Sequence, residues 1–206
     1  MRTGIVGRVT TPTDDASNAK AATRALVAQR RLSLRTGATD VRASSVAING
    51  VELIRQRCPR GSTIAAFASF GAEPPTDILI SGLVDLGYRV ILPRVTSPTE
   101  MTWHHYDGTW TTDTLGIATP GADDAPAEAA DINTAAAVFI PAVAASQDGR
   151  RLGRGGGYYD RMLETLPTHA DGGPIRIAVI DVAGLLPEGV IPMEEHDAWV
   201  DSVLVG

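Results

Sequence analysis

"AAVFIPAVAASQDGRRLGRGGGYYDRML", residues 136–163, joins a fully apolar run to a glycine-rich loop and then to a helical pattern. The run from Ala136 to Ala142 reads as a strand buried on both faces, which is how strands of a helix-covered parallel sheet are written. Tyr158 to Leu163 begins the helix that follows. A strand, a glycine loop and a helix in that order form the repeating unit of such a sheet, and ligands bind at loops of this kind.

The loop carries its own chemistry. Gly153, Gly155, Gly156 and Gly157 bare the backbone, Arg151 and Arg154 bring positive charge, and Tyr158, Tyr159 and Asp160 follow. Glycine permits close approach of backbone to ligand, and amides at a helix start attract anions. The pattern is neither a Walker loop nor a dinucleotide fingerprint, since the Lys and hydroxyl are missing and the glycines are contiguous. Taken alone it also fits a tight turn with surface arginines.

Outward from this stretch, strands and helices alternate. Residues 63–70, 89–93, 101–107, 175–181 and 201–205 read as strands, with Pro93 ending the second and 101–107 at an edge; residues 75–87 read as a helix. Two helices precede them. Asn18 caps the first, which runs to near Gly37, and Thr39 and Asp40 open the second, stopped by Pro59 and Gly61. Residues 121–131 form an acidic loop of small residues. Residues 1–17 carry no apolar period and read as a flexible tail, leaving 18–206 as a single domain. The expected fold is α/β: a three-layer sandwich with a mostly parallel central sheet, helices on both faces and an N-terminal helical pair.

The composition agrees. At 206 residues, with 44% apolar and 20% charged residues, the chain can close a soluble core without staples. The single cysteine, Cys58, excludes an internal disulfide and reads as a small buried residue. A net charge of -6 argues against nucleic acid as a partner. No run approaches the ~20 apolar residues of a membrane span, and no secretory signal is present, so a cytoplasmic protein is expected.

Two further groups could carry chemistry. Lys20, Arg24, Arg31 and Arg35 fall near whole helical turns with no acid between them, a stripe that repels itself unless an anion lies against it. In "EEHDAWVDS" (194–202), Asp197 and Asp201 are acids of the type that hold magnesium beside phosphate. His104 and His105 read as structural, and His169 carries no signal.

Together these motifs resemble the 5-formyltetrahydrofolate cyclo-ligase family. The resemblance rests on the glycine loop, on Lys20 followed four residues later by Arg24, on Glu73 in "FASFGAEPPTDIL", on Pro93 and Arg94, on "GIATP" (116–120) and on Asp197 before the last strand. It spans roughly residues 18 to 205. It implies an ATP- and magnesium-dependent cyclisation of 5-formyltetrahydrofolate to 5,10-methenyltetrahydrofolate, with release of ADP and phosphate. By this resemblance, Lys20, Arg24, Arg151, Gly153, Arg154, Gly155, Gly156, Gly157, Tyr158 and Tyr159 bind ATP. Glu73, Arg154 and Tyr158 bind the folate, with or without a polyglutamate tail. Arg154 and Tyr158 are catalytic, Asp160 and Asp197 hold Mg2+, Tyr158 faces the folate and Tyr159 the nucleotide. Ala145, Ser146 and Thr119 depart from the family pattern, the first two in a way expected to alter the folate pocket. A non-catalytic nucleotide- or folate-binding relative and a sugar-phosphate isomerase on a similar fold are the alternatives.

Overall fold

The computed structural model describes residues 12–33, 39–121 and 128–206. Among the described residues four α-helices, α1 (Pro12–Ser33), α2 (Thr39–Arg57), α3 (Asp77–Asp85) and α4 (Tyr158–Glu164), accompany eleven strands. These are β1 (Thr63–Ala65), β2 (Arg89–Val95), β3 (Met101–His105), β4 (Trp110–Thr112), β5 (Ala118–Pro120) and β6 (Ala129–Ala130). There follow β7 (Ala135–Pro141), β8 (Ala144–Ala145), β9 (Arg151–Leu152), β10 (Ile175–Ile180) and β11 (Ser202–Val205).

The central sheet has the order β11-β10-β7-β1-β2-β3-β6. Its first five strands are parallel, and β3 and β6 are antiparallel additions. Alternation along the strands splits the core in two. Ile64, Val90, Leu92, Phe139, Ile177 and Val179 face one way, against Val46 and Ile54 of α2 and Leu79, Ile80 and Leu83 of α3. Ala65, Ile91, Val138, Ile140, Ala178 and Ile180 face the other, against Leu163 and Leu166 at and after α4. This is the expected three-layer arrangement. The two N-terminal helices pack in different places. Val46 and Ile54 of α2 lie on the sheet, while Val27 of α1 packs with Ala144, Leu152, Leu186 and Ile191 outside it.

Several boundaries differ from the sequence reading. The first helix begins at Pro12, so Asn18 lies inside it. Proline is well placed in a first turn, and no breaker separates it from Asn18. Residues 12–17 of the expected tail are therefore helical; residues 1–11, like Arg35 and most of the 121–131 loop, lie outside the described residues. Pro93 does not end β2, which continues to Val95. The Ala66 amide donates to the Ile91 carbonyl, so alternate residues of β2 face β1. Because β1 stops at Ala65, the N–H that Pro93 lacks has no ladder partner to lose. The strand containing His104 and His105 is not the edge, because β6 pairs along it. Cys58 is buried, and burial pushes its thiol pKa up. Among the described residues, no helix is long and apolar enough to cross a membrane.

The connections out of β1 and β7 diverge. From β1 the chain passes through α3 to β2 on one side, and from β7 through α4 to β10 on the other. Adjacent parallel strands whose connections part in this way leave a crevice at their carboxyl ends. One glycine sets how tightly the chain closes nearby. A Cβ on Gly184 would stand 2.3 Å from the Val143 carbonyl oxygen and 3.4 Å from the Ala144 Cα, both backbone atoms. Gly184→Ala is expected to cost about 2–3 kcal/mol, read as a lower urea midpoint with an unchanged m-value.

Candidate active site

The crevice holds a cavity of about 410 Å³. Phe67, Phe70 and Glu73 after β1, Pro93 and Val95 of β2, Met101 of β3, Ile117 before β5 and Pro141 of β7 form its walls. The glycine loop and the start of α4, Gly153 to Asp160, close it together with Arg151. The cavity is thus mostly apolar on the β1–β5 side, where Glu73 and Asp113 are the acids, and charged on the loop side.

Two glycines of the loop need their freedom. Gly155 and Gly157 have φ of 106° and 70°, a region side chains rarely adopt. Gly157 is also the residue from which α4 starts. That helix has only seven residues, so the positive character of the loop comes chiefly from arginine side chains. Arg24 Nε donates to the Gly153 carbonyl at 2.8 Å, and Arg161 Nη2 to the Gly156 carbonyl at 3.0 Å. Engaging these oxygens lowers the repulsion an anion would meet in the loop. Arg161 also donates to the Thr99 carbonyl and lies over the Tyr158 ring, whose hydroxyl donates to the Ser97 carbonyl at 3.1 Å. The loop is thereby tied to the β2–β3 turn.

The charged residues expected to bind ligands each have an oppositely charged or backbone partner. Arg154 Nε lies 3.2 Å from Glu73 Oε1, and Arg154 Nη2 donates to the Phe70 carbonyl at 2.6 Å. Arg151 is ion-paired and hydrogen-bonded to Asp160. Lys20 Nζ, one helical turn before Arg24, lies 2.5 Å from Glu194 Oε2 and 2.6 Å from Asp197 Oδ2. Asp197 thus belongs to a cluster with Glu194 and His196, whose ligand atoms lie within 4.8 Å of one another. Asp160 is outside that cluster, on the cavity wall. The cavity brings Glu73, Arg151, Arg154, Tyr158, Tyr159, Asp160 and the loop glycines together; Lys20, Arg24 and Asp197 are not among its walls, though Arg24 reaches the loop at the Gly153 carbonyl. Asp201 is elsewhere, accepting from the Arg176 amide at 2.8 Å.

Burial tunes these groups. Glu73 is pushed above the usual carboxylate range by burial, against the Phe70 amide, which donates to it at 2.8 Å, and the charges of Arg154 and Arg31. Tyr159 is held firmly protonated by burial and by the Glu73 charge, with Arg151 opposing. Burial disfavours the Lys20 ammonium, but hydrogen bonds and charge from Asp197 and Glu194 outweigh it and raise the pKa above 10.5.

The residues fit the implied metal in kind. Carboxylate oxygens suit magnesium, and Glu194 and Asp197 already draw one cation, the Lys20 ammonium. The family departures lie off the cavity. Ala145 and Ser146 are fully buried in the β8–β9 hairpin, where Ser146 Oγ donates to Asp148 at 2.5 Å. Thr119 is buried and donates to the Pro93 carbonyl at 2.9 Å. Ala145 and Ser146 therefore stand apart from the cavity walls.

Sequence reasoning left Glu194 unassigned although it lies within the acidic stretch 194–202, and it did not find the apolar walls. Phe67, Met101 and Ile117 are indistinguishable from core residues until the loops are assembled.

The chain resembles known proteins along most of its length. The model of the 5-formyltetrahydrofolate cyclo-ligase family matches residues 16–206. A 5-formyltetrahydrofolate cyclo-ligase of Mycolicibacterium smegmatis is 37% identical over 150 residues, covering 70% of this chain and 73% of that protein. One from Mus musculus is 30% identical over 151 residues, covering 68% and 71%. The solution structure of Aquifex aeolicus 5,10-methenyltetrahydrofolate synthetase superposes with a TM-score of 0.70 over 90% of this chain and 89% of that one. At 20% identity that likeness speaks to the fold.

Proposed function

The chain belongs to the 5-formyltetrahydrofolate cyclo-ligase family, and on that footing we propose that it converts 5-formyltetrahydrofolate to 5,10-methenyltetrahydrofolate while cleaving ATP to ADP and phosphate. The observation that carries this reading is the Arg154–Glu73 pair, 3.2 Å apart in one cavity. It sets a cation suited to a phosphoryl group against a carboxylate suited to the N–H donors of a reduced pterin.

The chemistry needs both. A formamide oxygen leaves poorly, so it first attacks the γ-phosphorus of ATP, releasing ADP and forming an iminium phosphate. The N10 nitrogen then adds to the activated carbon and gives up its proton. Phosphate departs with the C–O bonding pair, leaving the conjugated methenyl cation. Phosphoryl transfer requires positioning and charge neutralisation more than covalent help. Arg154 and Arg151 would neutralise the transferring group, the backbone from Gly153 to Gly157 would cradle the phosphates, and Lys20 and Arg24 would hold them from α1. Glu73 and Tyr158 would orient the pterin, with Tyr159 on the nucleotide side. Asp160 and Asp197 are the residues we propose to hold magnesium, which when bound supplies charge neutralisation on the phosphates. A cytoplasmic location is part of the proposal.

The test is the absorbance of 5-formyltetrahydrofolate mixed with the protein. A longer-wavelength methenyl band that grows only with ATP and magnesium supports the reading. A flat trace from folded protein that is nevertheless stabilised by ATP or folate favours the non-catalytic binder.

A further inference from the structure

Arg161, on α4 just beyond the glycine loop, takes no part in the proposed chemistry, yet it touches both halves of the site. Its Nη2 donates to the Gly156 carbonyl at 3.0 Å and its Nε to the Thr99 carbonyl at 3.2 Å. The first oxygen belongs to the loop proposed to cradle the phosphates, the second to the turn between β2 and β3. The guanidinium also lies 5.2 Å from the centre of the Tyr158 ring, and a Cβ on Gly157 would stand 2.5 Å from its Nη1. One planar group, with its donors fixed in a fork, thus spans the two segments.

Each segment has support of its own. The turn closes on itself, with the Thr96 amide donating to the Glu100 carbonyl at 3.1 Å and the Glu100 amide to Ser97 Oγ at 3.1 Å. Val95 and Met101, on either side of it, are apolar walls of the cavity, suited to the flat rings of a folate. The loop is anchored at its start, where Arg24 holds the Gly153 carbonyl at 2.8 Å. Its far end is built from Gly155, Gly156 and Gly157, and glycine resists a change of backbone angle least of all residues. Arg161 and the Tyr158 hydroxyl, which donates to the Ser97 carbonyl at 3.1 Å, tie that end to the turn. Water competes for the exposed Arg161 bonds, so they add little to the stability of the fold. What they fix is the register of one segment against the other.

We propose that Arg161 is a positioning residue that sets the glycine loop in register with the β2–β3 turn, and so the γ-phosphorus of bound ATP against the formyl oxygen of bound folate. The inference rests on the cyclo-ligase reading. Phosphoryl transfer needs its attacking and leaving oxygens roughly in line, and a misplacement of about 1 Å can cost on the order of a hundredfold in rate. Neither substrate needs that register in order to bind, because each meets mainly its own segment. Arg161 therefore acts on kcat rather than on KM. A lysine at this position carries the charge but offers its donors from one atom, without the fork that reaches both carbonyls.

The experiment measures kcat, and KM for ATP and for 5-formyltetrahydrofolate, from the methenyl band in wild type, Arg161→Ala and Arg161→Lys, each with a thermal melt. In Arg161→Ala kcat falls about thirtyfold, while both KM values stay within about threefold and the melting temperature within about 3 °C. Arg161→Lys loses kcat with it. An unchanged kcat, a loss carried by the KM for ATP, a loss that follows a lower melting temperature, or full recovery in Arg161→Lys each overturns the proposal. If Arg161→Ala does not fold, Arg161→Lys is judged by the same split between kcat and KM. A wild type that never forms the methenyl band overturns the cyclo-ligase reading and this proposal with it. An active wild type whose variants keep their kcat overturns this proposal alone.

Discussion

Replacing Arg154 by alanine lowers turnover about a thousandfold, in the range for an arginine that neutralises a transferring phosphoryl group, and costs about 1 kcal/mol of stability or less. The asymmetry follows from where the side chain sits. Arg154 is 47% exposed, whereas its partner Glu73 is only 10% exposed. Truncation removes a half-solvated cation from the loop, and Glu73 keeps the hydrogen bond from the Phe70 amide, so the fold loses little. The loss in catalysis is large because the other arginines proposed to meet the phosphates start from closed pairs. Arg151 is bound to Asp160, and Arg24 and Arg161 are spent on loop carbonyls. Turnover from the methenyl band, set beside a thermal melt of the same preparation, checks this. A variant whose melting point falls in step with its activity would show that Arg154 holds the loop rather than serving the reaction.

Lys20→Ala is expected to raise the ATP requirement at least tenfold, roughly the 1.4 kcal/mol of one lost phosphate contact, and to leave folate binding nearly unchanged. Here the fold also suffers. Lys20 is 10% exposed and stands between Glu194 and Asp197, which are 21% and 11% exposed. Removing the ammonium leaves two part-buried carboxylates facing each other, a loss of about 3 kcal/mol or a melting point lower by about 8 °C in a chain of this size. The sign with pH is fixed by the raised Lys20 pKa. The stabilisation is fully present below 10.5 and fades only as pH climbs through the higher folded value, so the difference between variant and wild type is flat around neutrality. Added magnesium offers a second reading: bound to the freed acids, it recovers part of the lost melting temperature in the variant. Equal loss of ATP and folate binding would mean that α1 supports the whole cavity rather than its nucleotide side.

These two residues also show how far the chain can be read without its fold. Ala136 to Ala142 announced a strand buried on both faces, and the glycines after it announced the loop at its carboxyl end, because burial and backbone freedom are written in local residue types. The same locality found Lys20 and Arg24 on one helical face. It misjudged Pro93, since whether a proline ends a strand depends on whether a neighbour is there to be denied a hydrogen bond, and β1 happens to stop short. It placed the start of the first helix at Asn18, where capping residues compete with a proline six residues earlier that serves equally well.

By itself the sequence determined the alternation of strands and helices, the two-faced core and the position of the glycine loop, since each is a matter of periodicity and residue type over a dozen residues. Only the tertiary structure decided which charges meet. Lys20 and Asp197 are 177 positions apart and Arg154 lies 81 beyond Glu73, and no periodicity links them. Glu73 and Arg154 face one another because β1 and β7 are neighbours whose connections leave in opposite directions, whereas Lys20 and Asp197 meet because α1 packs through Val27 against Leu186 and Ile191 outside the sheet. A charge's partner is set by distance in space and by the water excluded between the two groups, and both exist only once the sheet has closed.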